Sequence, residues 1–397
     1  MVTIEVFGIT GTNGKTTVSY MLKSILEEAG RECGLVGTIT HIIGKHQYDA
    51  LNTTPSKEVL KKYFQELEEQ GIETCIMEVS SHGLDQGRID NVDVHYSGFT
   101  NLTQDHLDYH ITMENYFNAK AKLFHKTEKG MCINIDDSYG KRLYDKIKAE
   151  QIMGSIKPEI RIQSFSFKDP EADYFGRIVE NSIHGILMEP FEAGESWGKI
   201  QIDLPGKTTA YNGLLALAMS RQAGVERKFV IEGLKKIKGV PGRFQKVENQ
   251  QNIDAVIDFA HTPDALENLL RVAGELKKGR LICVFGCGGN RDKEKRSIMG
   301  RIAGKHSDFC IITSDNPRFE EPEAITEEIE KGMTETNCEY IVEVDRREAI
   351  KKAVEMYAEG DLIVIAGKGH EKYQLISGKK LPFDDESVVK EIINMRE

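Results

Sequence analysis

Long hydrophobic runs are absent from this sequence. None of its apolar stretches approaches the roughly 18 residues that a membrane span requires. The amino-terminal MVTIEVFGIT also lacks the charged and long apolar segments of a signal peptide, and it has the pattern of a strand. Both absences argue against membrane insertion and secretion, and we therefore expect a cytoplasmic protein.

A basic excess is absent as well. The 63 acidic residues outnumber the 52 Lys and Arg residues, which gives a formal net charge of −11, whereas a broad nucleic-acid surface normally carries the opposite balance. The seven cysteines include no paired C-x-x-C spacings that would form a structural zinc site. We expect reduced thiols and no nucleic-acid partner, and the composition specifies no oligomeric state.

What the sequence does contain is an alternation of strand and helix patterns, which is typical of parallel strands in a doubly wound α/β sheet. In a helix at about 16–29, apolar residues recur on one face, and Gly30 follows where a helix often ends. The other elements of the first part are strands at 3–7, 74–79, 96–100 and 131–136 and helices at 57–70 and 113–125.

A glycine-rich segment, FGITGTNGKTT at 7–17, lies between the first strand and the first helix. Glycines let the backbone turn its amides toward phosphate oxygens, and the helix N-terminus adds the positive end of its dipole. Lys15 adds a charge, and the Thr16 hydroxyl can ligate Mg²⁺. The strict template would require glycine where Ile9 stands, so the loop is a variant. It predicts an ATP site formed by Gly11, Thr12, Asn13, Gly14, Lys15, Thr16 and Thr17.

The length of 397 residues is sufficient for two domains. A fresh αβ alternation begins after VPGR at 240–243, the best candidate linker, with strands at 254–258, 280–285, 309–313 and 361–365 and helices at 264–276, 295–305, 323–333 and 346–358. We predict a P-loop-type doubly wound ATP-binding domain over 1–240, with a small mixed-sheet appendage at about 150–205. A smaller Rossmann-like α/β domain over 241–397 follows.

The segment TGTNGKTT resembles the ATP loop of the Mur ligases, the cytoplasmic enzymes that build the peptidoglycan stem peptide. Later motifs resemble, in order and nearly end to end, the MurE branch of that family, the UDP-N-acetylmuramoyl-tripeptide synthetases. These motifs are MEVSSHGLDQGR (77–88), NLTQDHLDYH (101–110), GRF (242–244), FAHTPDAL (259–266), GCGGNRD (286–292), DNPR (315–318) and GKGHEKYQ (367–374). The resemblance implies an ATP-dependent ligase that activates a carboxylate as an acyl phosphate and joins it to an amine.

An acyl-phosphate ligase needs more cations around the γ-phosphate than the loop provides. Glu78 ends the strand pattern TCIM, at the sheet edge where open α/β sheets place ligands. The resemblance implies that Thr16 and Glu78 hold one Mg²⁺, that His106 serves a second, and that Lys120 is carbamylated. Taken alone, His106 would more often be a satisfied polar residue and Lys120 a solvated helix lysine. The expected catalytic set is Lys15, Glu78, His106 and Lys120.

The same resemblance assigns further residues to the nucleotide. Asn212 would lie near the adenine, whereas Asp258 and His261 would lie near the ribose or phosphates. Arg243, in the linker, would reach the phosphates, since a guanidinium offers parallel donors. The alternative for Asn212 is a helix N-cap. Nucleotide residues in both domains would imply closure on binding and exclusion of water from the acyl phosphate.

The DNPR motif resembles the signature of family members that accept meso-diaminopimelate. Arg318 would bind the distal carboxylate, Asn316 would hydrogen-bond it, and Glu371 would face the distal ammonium. The full set that the resemblance implies is Arg291, Asp315, Asn316, Arg318, Gly367 and Glu371. Lysine lacks the distal carboxylate, so such a site would discriminate against it. The alternative is a turn stabilised by Asp-Asn-Pro.

Five residues match the positions that touch the muramoyl-peptide acceptor in the family: Asn52, Thr53, Thr54, Ser80 and Arg88. Family members also carry an N-terminal domain that holds uridine diphosphate, and here Met1 lies directly on the first strand pattern. We expect either a fragment or a natural short form whose acceptor lacks the uridine group or binds it weakly. In the second case the acceptor would be a recycled muropeptide or another peptide carboxylate.

Three rival interpretations remain open at this point. The first is γ-glutamyl ligation of the folylpolyglutamate synthetase type, against which DNPR and NTTP count. The second is the ligase-like subunit of a lipid II amidotransferase. Chains of that group are expected to contain a four-cysteine zinc motif, which this sequence lacks. The third is a non-catalytic ATP-binding regulatory or scaffold protein, which would have no physical need for Lys15, Glu78, His106 and Lys120 together.

Overall fold

The computed structural model describes residues 4–395. Met1 and Thr3, which the sequence analysis placed on or beside the first strand, lie outside the described residues. The chain divides into two compact units, with the boundary between Lys238 and Gly239. Among the described residues, no helix is both long and apolar enough to cross a membrane.

The first unit is built around one twelve-stranded sheet. Its strands are β1 (Glu5–Thr10), β2 (Cys33–Val36), β3 (Thr40–Ile43), β4 (His46–Asp49), β5 (Thr74–Glu78), β6 (Val94–Phe99), β7 (Thr127–Asn134), β8 (Arg161–Ser166), β9 (Tyr174–Ser182), β10 (Gly185–Glu192), β11 (Glu195–Ser196) and β12 (Ile200–Ile202). Its helices are α1 (Lys15–Glu28), α2 (Lys57–Glu69), α3 (Ser81–Asp85), α4 (Leu107–His110), α5 (Met113–His125), α6 (Ser138–Ile152), α7 (Lys207–Gln222) and α8 (Arg227–Lys236).

The strand order of this sheet places β1 in its interior, between β6 and β5. The order is β11-β10-β9-β8-β7-β6-β1-β5-β2-β3-β4, and β12 pairs with β10. The run from β8 through β1 to β2 is parallel. The chain leaves β1 toward β2 on one side and later crosses from β5 to β6 on the other side. The carboxyl end of β1 is therefore a topological switch point, where such sheets bind ligands.

Helix α1 is held against the sheet by one apolar face. The five side chains predicted for that face, Val18, Met21, Leu22, Ile25 and Leu26, are all fully buried. Full burial of one such side chain stabilises the fold by roughly 1.5–3 kcal/mol. This face therefore fixes the direction in which the N-terminus of α1 points, and with it the position of the preceding loop.

The second unit has a six-stranded sheet and a separate hairpin. Its strands are β13 (Gln245–Lys246), β14 (Ala255–Asp258), β15 (Leu281–Phe285), β16 (Phe309–Ile312), β17 (Glu339–Val342), β18 (Leu362–Ala366), β19 (Tyr373–Ile376) and β20 (Lys379–Pro382). Its helices are α9 (Pro263–Leu276), α10 (Glu294–His306), α11 (Pro322–Met333), α12 (Arg346–Met356) and α13 (Asp385–Met395). The order is β13-β14-β18-β15-β16-β17, parallel from β14 to β17.

The predicted fold class, a P-loop-type doubly wound sheet followed by a Rossmann-like α/β unit, is confirmed, but several elements differ from their predictions. The strand expected at 131–136 is β7, which begins earlier, at Thr127. Within 150–205, β10 pairs antiparallel with β9, β11 and β12, and β8 joins these strands to β7 of the central sheet. Strand β4 was not predicted, since all four of its residues, His46–Asp49, are exposed and carry no alternating pattern.

Candidate active site

The loop between β1 and α1 requires glycine at two positions. Gly11 and Gly14 have φ angles of 145° and 90°, which side chains of L-residues rarely adopt. A Cβ on Gly11 would lie 1.8 Å from Thr100 Oγ1, and one on Gly14 would lie 2.3 Å from Asn212 Oδ1. The backbone of this loop therefore lies closely against its neighbours, with the N-terminus of α1 directly behind it.

Two lysine ammonium groups converge on this loop. Lys15 Nζ donates to the carbonyl oxygens of Gly11 and Thr12, at 2.9 Å each. Lys120 Nζ donates to the same Gly11 oxygen at 2.8 Å and is 1% exposed. Burial, and then the charge of Lys15, hold the pKa of Lys120 well below its ordinary value, although Asp105 acts in the opposite direction. The positive charge at this helix N-terminus suits a polyphosphate.

Glu78 lies beside the loop because β5 pairs with β1, with Ile9 opposite Glu78. The carboxylate is fully buried and accepts hydrogen bonds from Thr16 Oγ1 at 2.9 Å, from Thr38 N at 3.0 Å and from Thr38 Oγ1 at 2.8 Å. Thr38 Oγ1 is also 3.1 Å from Thr53 Oγ1. These donors compensate the cost of burying the carboxylate, and Thr38 is a partner that the sequence analysis missed.

Thr16 and Glu78 fit a Mg²⁺ site that substrate phosphates and water complete, and not a site in which the protein supplies every ligand. Across residues 4–395, no group of three or more His, Cys, Asp or Glu side chains could hold a metal ion. Mg²⁺ is commonly bound through one or two carboxylates together with substrate phosphates and water. A hydroxyl and a carboxylate 2.9 Å apart at the phosphate loop meet that requirement.

The Tyr116 side chain lies between His106 and Lys120. The His106 ring lies 4.9 Å from the His82 ring and 6.1 Å from the Tyr116 ring. Tyr116 in turn lies 4.6 Å from Lys120 Nζ and 3.2 Å, through its hydroxyl, from Thr12 Oγ1. Burial is the main cause that lowers the pKa of His106. A lower pKa favours the neutral imidazole, which is the form that ligates metals.

A segment after β6 holds the phosphate loop in place. Thr100 Oγ1 donates to Asn13 O at 2.6 Å. Asn101 accepts from Asn13 N through its side chain at 3.0 Å and from Thr12 N through its carbonyl at 2.9 Å. The sequence analysis did not single out Thr100 or Asn101. The available signal was the position of Asn101 at the start of the NLTQDHLDYH motif.

The residues predicted for the acceptor lie together at the end of β5. Thr54 Oγ1 donates to Glu78 O at 3.0 Å and is 3.0 Å from Ser80 Oγ. Arg88 Nη1 donates to Thr54 O at 2.7 Å. Asn52 is exposed just before this group. The acceptor candidates are thus adjacent to the candidate magnesium ligand.

Asn212 is not a helix N-cap, so that alternative is wrong. The N-cap of α7 is Gly206, and Asn212 lies well inside the helix with 8% of its surface exposed. Its side chain instead approaches Gly14, as the close contact with a Cβ at that position shows. A buried amide pointing at the phosphate loop is consistent with a contact to a nucleotide.

In the second unit, the three predicted nucleotide residues lie around Phe259. Asp258 Oδ2 accepts from Phe244 N at 2.6 Å. The Arg243 guanidinium is 5.9 Å from the Phe259 ring, and His261 Nδ1 is 2.8 Å from Phe259 O. Burial raises the pKa of Asp258, whereas Arg243 acts to lower it. Arg243, Asp258 and His261 therefore share one carboxyl-end cluster.

The predicted amine site lies at the carboxyl ends of β16 and β18. Asn316 Nδ2 donates to Glu371 Oε2 at 2.9 Å. Asp315 is 6% exposed, and a Cβ on Gly367 would lie 3.4 Å from its Oδ2. The side chain of Lys368, which the sequence analysis missed, is 0% exposed and contacts the same group. The only signal for Lys368 was its place in GKGHEKYQ.

Two arginines flank Gly288 at the edge of this group. A Cβ on Gly288 would lie 2.8 Å from Arg318 Nη1 and 3.9 Å from the side chain of Arg291. Arg318 Nη1 also donates to Gly289 O at 2.8 Å, and its backbone has a φ of 56°. The Arg318 guanidinium beside this glycine offers donors suited to a carboxylate, and the Arg291 side chain passes the same glycine at its Cγ.

A phosphate loop at the switch point of a parallel sheet, with a buried threonine–glutamate pair, defines a nucleotide-dependent P-loop enzyme. The description "Mur ligase middle domain" matches residues 9–220, and "Mur ligase, glutamate ligase domain" matches residues 242–369. The chain belongs to the Mur ligase family, and the predicted resemblance is confirmed.

Two curated relatives and one solved structure share one name. A UDP-N-acetylmuramoyl-L-alanyl-D-glutamate–2,6-diaminopimelate ligase of Clostridium tetani is 44% identical over 98% of this chain and 78% of its own length. The protein of that name from Aquifex aeolicus is 46% identical over 98% of this chain and 77% of its own length. A solved structure with the same name has a TM-score of 0.74 at 34% identity, and the match covers 99% of this chain and 79% of that one.

A more distant solved structure shares the fold. The folylpolyglutamate synthase of Thermotoga maritima has a TM-score of 0.67 at 17% identity, covering 92% of this chain and 86% of its own. At that identity the likeness concerns the fold alone.

Proposed function

We propose that this protein is an ATP-dependent amide ligase that adds meso-diaminopimelate to the carboxylate of a muramoyl peptide in peptidoglycan precursor synthesis or recycling. The single observation that carries the proposal is the convergence of Lys15 and Lys120 on Gly11 O, at 2.9 and 2.8 Å, beside the Thr16–Glu78 pair. That arrangement places the Lys15 ammonium, the buried Lys120 amine and a cation site where a terminal phosphate would sit.

The reaction has two steps. An oxygen of the acceptor carboxylate attacks the γ-phosphorus, and ADP leaves, so that an acyl phosphate forms. The amine then attacks the acyl carbon, and inorganic phosphate leaves as the amide forms and the amine loses a proton. The loop amides and Lys15 hold and orient the phosphates, and Asn212 contacts the adenine. Bound Mg²⁺ would neutralise the charge on the phosphates.

We assign one Mg²⁺ to Thr16 and Glu78 and a second to His106 and carbamylated Lys120. A carbamate forms when a neutral amine attacks CO₂, a C–N bond forms and a proton is lost. The low pKa of Lys120 favours that neutral amine. The product replaces a buried amine with a carboxylate-like anion, which the charge of Lys15 attracts.

We assign the remaining residues as follows. The acceptor is bound by Asn52, Thr53, Thr54, Ser80 and Arg88, and the ribose and phosphates of the nucleotide by Arg243, Asp258 and His261. Arg318 binds the substrate's distal carboxylate and Asn316 hydrogen-bonds it, Glu371 faces the distal ammonium, and Arg291, Asp315 and Gly367 complete the amino-acid site. On this proposal, residues 1–240 form the ATP-binding domain, residues 241–397 bind the amino acid, and the enzyme acts in the cytoplasm.

A second candidate function, γ-glutamyl ligation, is not favoured. The amine site contains the Arg318 guanidinium and the Glu371 carboxylate together, with Asn316 bonded to Glu371. A substrate with an amino-acid group at its far end would satisfy both charges, whereas glutamate has no distal ammonium to pair with Glu371.

The test is a phosphate-release assay with ATP and Mg²⁺. Muramoyl-peptide acceptors with and without the uridine group are each combined with diaminopimelate, lysine or glutamate. We expect phosphate release with diaminopimelate to exceed that with the other two amines in at least one acceptor series. A folded protein that forms no ADP in any combination would contradict the proposal, and faster turnover with glutamate would support γ-glutamyl ligation.

Thr38→Val is expected to reduce turnover about tenfold and to raise the Mg²⁺ concentration needed for half-maximal activity, because outer partners of metal ligands are commonly worth 10- to 100-fold. Thr38 Oγ1 donates to Glu78 at 2.8 Å, and valine keeps the shape without the hydroxyl. The matched control is Thr40→Val, whose hydroxyl bonds to Tyr48 O at 2.9 Å. If both variants needed the same Mg²⁺ concentration for half-maximal activity, Thr38 would have no role at the Mg²⁺ site.

A further inference from the structure

Lys368 carries a positive charge in the interior of the second unit. Its side chain is 0% exposed, and a lysine is almost never fully buried unless its ammonium is paired. Its Nζ lies 3.1 Å from Glu371 Oε2, 3.3 Å from Asn316 Oδ1 and 3.7 Å from Asp315 Oδ1. The ammonium therefore contacts three of the residues proposed for the amine substrate.

The contacts of Asn316 with Lys368, Leu375 and Glu371 determine which way its amide faces. One end of the amide receives two donors, Lys368 Nζ at 3.3 Å and Leu375 N at 2.9 Å. That end must be the oxygen, since only Oδ1 can accept. The other end is Nδ2, which donates one hydrogen to Glu371 at 2.9 Å. The second hydrogen of Nδ2 can bind only an acceptor.

A second buried cation nearby does not duplicate this role. Arg346 is also inside the unit, but Asp385 binds its guanidinium with two hydrogen bonds, Nε to Oδ1 at 2.8 Å and Nη2 to Oδ2 at 2.7 Å. Lys368 and Arg346 both act to lower the pKa of Asp315, which burial raises. Lys368 is thus the cation that bonds both Asn316 and Glu371.

We propose that Lys368 is a positioning residue for amine specificity. Together with Leu375 N it holds Oδ1 of Asn316, so that the second hydrogen of Nδ2 is left for an acceptor such as the substrate carboxylate, and it holds the Glu371 carboxylate for the substrate ammonium. This inference rests on the proposed function. Without Lys368 the Glu371 carboxylate loses its ion pair and Asn316 loses one of its two donors, so both side chains are held less firmly and discrimination against an amine without a distal carboxylate weakens.

The test uses Lys368→Met, which keeps a straight side chain and removes the charge. Calorimetric binding of diaminopimelate is measured with kcat and KM for diaminopimelate, lysine and ATP. We expect Kd and KM for diaminopimelate to rise about tenfold and the preference for diaminopimelate over lysine to fall about tenfold, as when one buried polar contact is lost. The KM for ATP should change less than about twofold.

The matched control is Lys372→Met. Lys372 follows Glu371 directly, is 64% exposed and pairs with Asp384 at 2.7 Å, so its loss removes a nearby charge without touching the amide. Lys372→Met should retain the kcat, KM and Kd of the parent protein. If Lys368→Met does not fold, the double variant Lys368→Met/Glu371→Gln removes both members of the ion pair. It should discriminate between diaminopimelate and lysine less well than Glu371→Gln alone.

The outcomes separate this inference from the function on which it rests. A folded Lys368→Met protein with the parent preference overturns the inference alone, provided that the parent binds diaminopimelate. Equal increases in KM for ATP and diaminopimelate would show a general structural defect and overturn it as well. A parent protein that neither binds nor uses diaminopimelate overturns the proposed function and this inference together.

Discussion

Lys120→Ala is expected to lower phosphate release by about 10³-fold, the loss that follows removal of one group that stabilises a transferring phosphate. Lys120 is fully enclosed beside the phosphate loop, with its Nζ 2.8 Å from Gly11 O and 4.6 Å from the Tyr116 ring. If the lysine acts as a carbamate, alanine leaves a cavity that a small carboxylate can enter. Acetate or formate in the buffer should then restore activity at least severalfold, whereas chloride at equal ionic strength should not.

The control for this experiment lies on the same helix. Lys122 is 50% exposed and pairs with Asp85 at 2.8 Å, away from the loop. Lys122→Ala should keep its activity, and a melting curve should confirm that Lys120→Ala is folded. A loss in Lys120→Ala that no short-chain carboxylate reverses would contradict the carbamate, and an equal loss in Lys122→Ala would point to a defect of the helix.

Arg318→Ala should reduce kcat/KM for diaminopimelate by about 10³-fold, equivalent to about 4 kcal/mol, within the range for loss of one partner of a hydrogen-bonded charge pair. The half-buried guanidinium lies against Gly288 and Gly289, where it can present its remaining donors to a carboxylate. Removing it leaves the carboxylate of the substrate desolvated and unpaired. The KM for ATP should stay near that of the parent.

The effect of Arg318→Ala should depend on the amine. The kcat/KM for lysine, which has no distal carboxylate, should fall much less than the kcat/KM for diaminopimelate. The ratio of the two values should therefore decrease. Arg301→Ala is the matched control, because Arg301 is 42% exposed and pairs with Glu335 at 2.9 Å in the same unit. If both amines lost activity equally in Arg318→Ala, Arg318 would have no specific role toward the carboxylate.

The phosphate loop could be predicted because its information is local. Glycines, Lys15 and Thr16 follow one another between a strand pattern and a helical face, and each residue does its work within a few positions of the others. The positive φ angles at Gly11 and Gly14 agree with the prediction that the loop needs glycine. The apolar face of α1 was readable for the same reason.

Partners across the sheet were harder to predict. Thr38 lies 40 positions from Glu78, and only the placement of β2 next to β5 brings its hydroxyl to the carboxylate. Lys368 looked like an ordinary basic residue in a motif. Its burial depends on the packing around β18 and β16, which no local pattern describes.

The residues that can contact phosphate, and the helix that presents them, were determined by the order of amino acids alone, since steric freedom and helical periodicity act over a few residues. The meeting of Lys120 with Gly11, 109 positions apart, and the orientation of the Asn316 amide between Lys368 and Glu371 were decided only by the tertiary structure. The reason is physical: such contacts depend on strand order and on which donors share a buried space, and both arise only when the whole sheet is assembled.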